Sequence, residues 1–466
     1  MKRILLYICV LAAQLLCRAQ SSQPAGITIV NVSVIDTVGG RLLQHRNVTV
    51  RNGAIEDIRD VMLPKIAKHA LEVNGTGKYL IPGLWDMHVH MVFGDWFPHS
   101  KEITLPLFVA NGITGVRDMG GELEVLQQWR KDISAGTLLG PRIVMSGPML
   151  DGPQPRFPSS IPIKTPDDGR RAVDDLRKRG ADFIKLQSLI PREAVFAIAD
   201  EARRQRMSFV GHVPDSVRAS EMSNAGQKSL EHLIGIFEGS SPSEDEFLKG
   251  GKSVGKFLST YDPKRAEALF ALLAKNQTWQ CPTLVWERGG NLIELSDFAH
   301  DPLAKYVPAY WKDVTWKRFE KQVKEEFNSD DLATRRRFVD KELEIVKTMR
   351  NAGIPFLAGT DTPPGVYVFP GFSLHQELQR FVAAGFTPLQ ALQTATLNPA
   401  KFLGMSDRLG TVEKGKLADL VLLDANPLDD IRNTQKITGV VVNGRYLSRA
   451  VLDKMLADVE KTAAAK

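Results

Sequence analysis

The sequence predicts an α/β protein: a (β/α)8 TIM barrel carrying a small β-sandwich domain built from both chain ends. Eight short apolar runs separated by amphipathic stretches fill the middle of the chain. They are Leu84–His90, Thr114–Asp118, Arg142–Ser146, Phe183–Leu186, Phe209–Val213, Ser229–Leu233, Thr278–Leu284 and Pro355–Asp361. Strands that alternate with helices build parallel sheets, and eight such units close a barrel. Both ends show period-two patterns followed by Asn-Gly, the strongest short hairpin signal. The length of 466 residues, 43% hydrophobic and 24% charged, suits one barrel plus one small domain and excludes a disordered or collagen-like chain.

Residues 1–19 read as a secretory signal, with Lys2 and Arg3 before the apolar run Ile4–Leu16 and small-residue spacing at Cys17-Arg18-Ala19. Removing them takes three basic residues and no acid, so the net charge falls from +6 to +3, too little for a nucleic-acid binder. An uncleaved membrane anchor is the competing reading, although the run is short for a span of ~20 residues. Lipid attachment at Cys17 is disfavoured by the bulky Leu15 and Leu16. The expectation is therefore an exported protein, periplasmic or secreted, with no stable membrane insertion after cleavage. Cys9 and Cys17 leave with the signal, so Cys281 can form no internal disulfide and is expected to pack in the core.

Residues 27–80 and 408–450 are expected to form the composite β domain. Ile27–Ile35 and Val48–Val50 alternate before Asn52-Gly53; Leu417–Leu423 and Gly439–Val442 do so before Asn443-Gly444. Residues 81–405 are the expected barrel, with helical patterns such as Arg192–Gln205 and Asp340–Asn351. One connection, 286–340, is oversized, polar and helical, and carries Trp286, Tyr306, Tyr310, Trp311 and Trp316. It is either an insertion over the barrel mouth or a surface helical pair with its own small aromatic core.

The functional reading rests on polar residues at the C-terminal ends of buried strands, where barrel active sites lie. His88 and His90, two apart, project from one face of a strand. Lys185, His212, His232 and Asp361 follow on the fourth, fifth, sixth and eighth runs. A lone histidine in an apolar strand is usually a hydrogen-bonded core residue; the ordered set is hard to attribute to packing. Imidazoles and a carboxylate suit zinc or a similar divalent ion. A protonated lysine would repel a metal, but burial favours the neutral amine. That amine can add carbon dioxide to become a carbamate, an anionic bridge between two ions. Otherwise Lys185 is a salt-bridged core lysine beside a mononuclear site.

Two softer candidates are substrate-binding. His375 begins the helix after the last strand and faces either the site or solvent. Arg117 contacts substrate or makes a structural ion pair with Asp118. His45, His69, His99 and His300 are expected on the surface, and the charge-rich 317–341 as a solvated helix face.

The motifs Pro82-Gly-Leu-Trp-Asp-Met-His-Val-His90, Gly112–Gly120, Asp182-Phe-Ile-Lys185, Gly211-His-Val-Pro214, Glu231-His-Leu233 and Gly359-Thr-Asp-Thr-Pro363 point to a family, as do Ala395–Ala400 and Gly410–Val421. Through them the chain resembles the amidohydrolase superfamily, in its exported imidazolonepropionase-like or prolidase-like branch, over about 27–447. The resemblance implies a binuclear metal-dependent hydrolase cleaving an amide (C–N) bond of small peptides, N-acyl amino acids or a cyclic amide. It implies His88, His90 and Asp361 around one divalent ion, His212 and His232 around a second, both expected to be zinc, with carbamylated Lys185 between them. Attack by a metal-bridged hydroxide, with Asp361 as general base and then acid, is the implied reaction. Prolidase-like relatives often carry Gly-Gly-His after the third strand. Here the segment is Ser146-Gly-Pro-Met-Leu-Asp-Gly-Pro153, so the resemblance leaves dipeptide specificity open. A mononuclear amidohydrolase or deaminase with a structural Lys185 is the alternative enzyme, and a non-catalytic binding protein on the same fold the alternative outside enzymes. The expected partner is a small-molecule substrate, not nucleic acid; a homo-oligomer stays open.

Overall fold

Both ends of the chain meet in one sheet. The computed structural model describes residues 26–63, 70–157, 159–295, 300–327 and 330–466, so the expected signal segment lies outside the described residues. Strands β1 (Ile27–Ile35), β2 (Leu42–Arg51), β3 (Ala54–Asp60), β4 (Leu71–Asn74) and β5 (Tyr79–Pro82) come from the N-terminal side. The C-terminal side adds Leu420–Leu423, Ile437–Val442 and Arg445–Ser448. Leu420–Leu423 pairs antiparallel with β5, joining the two groups into eight hydrogen-bonded strands. Alternation explains how the sheet packs. Ile29, Val34, Val48, Leu80, Leu420 and Leu422 enclose a small core of their own. Ile35, Ile81, Val421 and Leu423 face the other way into the main core. All eight strands thus belong to one continuous hydrogen-bonded sheet. Asn52-Gly53 and Asn443-Gly444 both take positive φ, the conformation a two-residue hairpin requires.

The eight central runs form parallel segments. β6 (Leu84–Val89), β7 (Ile113–Asp118) and β8 (Arg142–Met145) make one sheet. β9 (Leu150–Asp151), β10 (Ile161–Pro162), β11 (Ile184–Leu186), β12 (Phe209–Gly211), β13 (Ser229–Glu231) and β14 (Trp279–Cys281) make another. Asp182 donates from its backbone to Met145 across the gap between them. The eighth run, Pro355–Asp361, bridges Gln280 through Phe356, and Thr362 bridges Val89. Met87 donates to Ala358 at 2.9 Å, returning the hydrogen-bond circuit to β6. Gly359 makes this close approach feasible: a Cβ there would stand 2.5 Å from Cys281 Sγ and 2.7 Å from His88 Cβ.

Amphipathic helices lie between the segments. Pro166–Lys178 starts with a Thr165/Asp168 capping box, and Leu332–Asn351 is capped by Asp331. Their apolar faces meet the outer sides of the strands in one large core containing Val116, Ile184, Val195, Leu230 and Val346. In 286–340 the aromatics do two things. Trp311 and Trp316 are buried with Phe93, Phe97 and Phe369 in a second core, while Trp286 and Phe319 line a cavity. The wall aromatics arrive on helices Leu284–Asn291 and Lys317–Phe327. Among the described residues no helix is long and apolar enough to cross a membrane.

Candidate metal centre

The strand ends bring His88, His90, His212, His232, Lys185 and Asp361 to one end of the circuit. Ring centroids of His88 lie 5.4 Å from His90 and 4.6 Å from His232, and His212 lies 5.0 Å from His232. Asp361 Oδ1 stands 3.2 Å from His90 Nε2 and 3.5 Å from His88 Nε2. Asp361 and His232 both hold left-handed φ, near 60°, where their segments end and turn.

Each imidazole has its Nδ1 occupied by the protein itself. His88 donates to Glu231 Oε2 at 2.9 Å and His90 to the Gly120 carbonyl at 2.9 Å. His212 shares a hydrogen bond with Ser188 Oγ at 2.8 Å and His232 with Thr283 Oγ1 at 2.7 Å. Such partners fix ring orientation and leave Nε2 as the nitrogen not tied back to the scaffold, the arrangement typical around metals. Among the described residues, His88 Nε2 and Lys185 Nζ are buried without a hydrogen-bond partner. His88, His232 and Asp361 each offer a ligand atom, all within 4.8 Å of one another. This donor set fits a divalent cation. A second group, His88, Glu231 and Cys281, is as close. It fits poorly, because Arg117 already engages Glu231 and burial pushes the Cys281 thiol well above its usual range.

Burial, followed by the charge of Lys185, holds His88 and His212 well below the ordinary imidazole range. Burial lowers His232 to about 4. All three are therefore neutral at pH 7, the form that ligates metal. Burial also lowers Lys185 to about 8, against the opposing pull of Glu231 and Asp361. For Asp361 burial acts upward, but His88, the bond from His90 and His232 outweigh it and hold the carboxyl well below the carboxylate range.

Two substrate candidates lie elsewhere. Arg117 is fully buried inside the circuit: Nε donates to the Met87 carbonyl, Nη1 to Ser229 Oγ, and Nη2 to both Glu231 oxygens at 3.0 Å. It holds the carboxylate that holds His88, and does not line the cavity. Nor does it pair with Asp118, because neighbours on a strand point to opposite faces; Asp118 accepts instead from the backbone of Met91 and Gly120. His375 is buried against Thr434 Oγ1 at 2.9 Å and the Asn111 carbonyl at 3.1 Å. Both its nitrogens are used in packing a helix, so it faces neither substrate nor solvent. His45, His99 and His300 are exposed, and His69 lies outside the described residues. Glu231 had no assigned role in the sequence reading. The available signal was a pair of opposite charges, Arg117 and Glu231, on two strands that are otherwise buried.

The centre opens onto a cavity of about 350 Å³, within the range of small-molecule sites. His90, His212, His232 and Asp361 line one end, and Phe93, Phe157 and Trp286 contribute to its apolar walls. Trp286 lies with its ring 5.6 Å from His232. Its helix is oriented by Glu377, which accepts from the backbone of Leu284 and Val285 at 3.0 and 2.8 Å and so satisfies two orphan donors of the first turn.

Fold and family together define an enzyme, a hydrolase acting on carbon–nitrogen bonds. The model of the amidohydrolase family matches residues 79–447, and the chain belongs to that family. It is 24% identical to an ochratoxinase of Aspergillus niger over 473 aligned positions, covering 89% of this chain and 85% of the relative. Among solved structures, a bottromycin amidohydrolase superposes with a TM-score of 0.72 at 22% identity, covering 95% of this chain and 91% of the other. A Xaa-Pro dipeptidase with methionine bound in its active site does so with 0.67 at 20%, covering 91% and 100%. These two show the shared fold.

Proposed function

We propose that the chain is a binuclear metal-dependent hydrolase that cleaves the amide bond of a small molecule, such as a small peptide, an N-acyl amino acid or a cyclic amide. In this reading the eight-segment circuit is a closed (β/α)8 barrel over 81–405, and 27–80 with 408–450 is its companion domain. His88, His90 and Asp361 would hold one ion, His212 and His232 a second, and Lys185, as its carbamate, would bridge them. Zinc is the expected metal. The observation that carries the reading is the set of four imidazoles whose Nδ1 atoms are tied back while Lys185 sits buried and unpartnered beside them.

Divalent ions, when bound, supply Lewis-acid activation of a carbonyl and a water of lowered pKa. The remaining work belongs to the chain's own residues. Asp361 is placed to take the proton of the attacking water and return it to the departing amine. The aromatic walls exclude bulk water and hold the acyl or amine group. Ser188, Thr283, Gly120 and Glu231 keep the imidazoles in register. The ochratoxinase and dipeptidase names support amide substrates for this chain as well. Export to the periplasm or exterior completes the proposal, checked by fractionating producing cells.

The test is a panel of dipeptides, N-acyl amino acids and lactams offered to metal-analysed protein, with Asp361→Asn alongside. Hydrolysis at two ions per chain, abolished in Asp361→Asn with metal retained, is the expected result. Activity at one ion per chain would replace this reading by the mononuclear one. An active Asp361→Asn would remove the proposed proton carrier, and hydrolysis of no panel member would favour a binding protein.

A further inference from the structure

The same cavity holds two carboxylates for which the proposed hydrolysis has no use. Glu287 follows Trp286 on the helix Leu284–Asn291, and Glu342 comes from the helix Leu332–Asn351. Glu287 is 8% exposed and Glu342 2%, and both line the cavity. Neither carboxylate makes a hydrogen bond or ion pair among the described residues; the contacts of Glu287 run through its backbone, to Thr283 and Asn291. Carboxylates removed from water without a partner are costly, and such groups are normally paired.

The surroundings show what the pair lacks. Burial, then the charge of Glu342, pushes Glu287 well above the carboxylate range, and burial takes Glu342 to about 8 despite the pull of Arg380. Two cationic residues, Arg156 and Lys252, line the cavity, and neither pairs with Glu287 or Glu342; Lys252 Nζ lies 2.8 Å from Asp215 and 3.1 Å from Glu238. A positive charge entering the cavity would favour the ionised form of both glutamates and would supply the direct ion pair that neither has among the described residues. Phe338 lies one turn before Glu342 on the same helix, and its ring centroid is 4.6 Å from that of Phe237. Both rings line the cavity and give it an apolar stretch of wall one turn from Glu342.

We propose that Glu287 and Glu342 form a cation subsite that selects substrates bearing an ammonium or guanidinium group on an apolar stem. For substrates, this rests on the hydrolase reading of the same cavity. Binding is tested separately from turnover. Calorimetry of the metal-loaded protein compares 4-phenylbutylamine with its neutral isostere 4-phenylbutanol, in wild type, Glu287→Gln, Glu342→Gln and the double variant, each checked for an unchanged melting profile. The amine is expected to bind at least tenfold more tightly than the alcohol in wild type, and that ratio to collapse toward one in the double variant. Equal binding of amine and alcohol to wild type overturns the subsite without recourse to any variant, and so does a ratio unchanged in a folded double variant. The same comparison with N-benzoyl-lysine amide and N-benzoyl-norleucine amide separates the two ideas. Amine selectivity without hydrolysis of either amide leaves the subsite standing and removes the hydrolase reading. Equal hydrolysis of both amides removes the subsite and leaves the hydrolase.

Discussion

Replacing Glu231 by Gln tests how the proposed centre is held. Glu231 accepts from Arg117 through both oxygens at 3.0 Å, from Ser229, and from His88 Nδ1 at 2.9 Å. Glutamine keeps the shape but offers one acceptor oxygen and an NH2 that only donates. An amide oxygen at the Oε2 position can still accept from both His88 and Arg117, whereas an NH2 there leaves His88 without its acceptor. In that second case the His88 proton moves to Nε2, the nitrogen proposed to bind metal. Losing an outer partner of this kind costs about 10–100-fold in metal affinity. In either orientation the fully buried Arg117 guanidinium loses its counter-charge, and breaking such a pair costs about 3–5 kcal/mol of stability. Zinc affinity is read by competition with a chromophoric chelator, and stability by urea unfolding of the metal-free protein. A Glu231→Gln protein matching wild type in both would refute the chain from Arg117 through Glu231 to His88. Ser229→Ala serves as a control, expected to cost about 1 kcal/mol and leave zinc affinity nearly unchanged.

Lys185→Ala is expected to lower bound metal from two ions to one or none and to abolish amide turnover; two retained ions would remove the bridging role. The metal-free protein should be acid-sensitive. His232 and His375 are both lowered to about 4 in the folded chain, chiefly by burial. An unfolded histidine takes up its proton near 6.5, so between 6.5 and 4 the unfolded state binds more protons. Stability then falls with pH by about 3 kcal/mol for each group. Urea midpoints at pH 7 and 4.5 check this, with His375→Asn expected to flatten the slope; a midpoint independent of pH would refute it. Gly359→Ala should cost about 1–3 kcal/mol by overpacking and weaken zinc binding, since the new methyl would press on His88 and Cys281. An unaltered zinc affinity would show that the eighth segment has room to shift.

The strand plan was legible because buried parallel strands announce themselves as short apolar runs, and all eight fall on paired segments. Only Pro355–Asp361 lacks a regular ladder, bridging Gln280 at Phe356, while Thr362 just beyond it bridges Val89. The imidazoles and Asp361 were legible because polar residues at the ends of such runs have few structural excuses. Glu231 was harder. It sits next to a proposed ligand and looks like one more polar residue at a strand end. Its role depends on Arg117, 114 positions earlier. Arg117 is the structural ion-pair residue its buried strand suggests, with Glu231 rather than the neighbouring Asp118 as its partner. His375 was misread because a helix beginning near the last strand can turn either way, and here it packs against Ile431–Gln435. The cavity walls from Trp286 to Glu342 depend on how long helices settle over the strand ends, which periodicity does not encode.

The pairing of β5 with Leu420–Leu423 also sets a timetable. Lys78 and Asp424, which flank it in an ion pair, are 346 residues apart. A ribosome adding roughly 5–20 residues per second takes on the order of half a minute to cover that distance. For that interval the nascent chain carries the β5 edge with no partner, a template for pairing with another chain. The last strands to be made act as a latch, and a chain stalled before them leaves the edge open. Slow codons between the end of the circuit and residue 420 should therefore raise aggregation during synthesis without altering the finished protein.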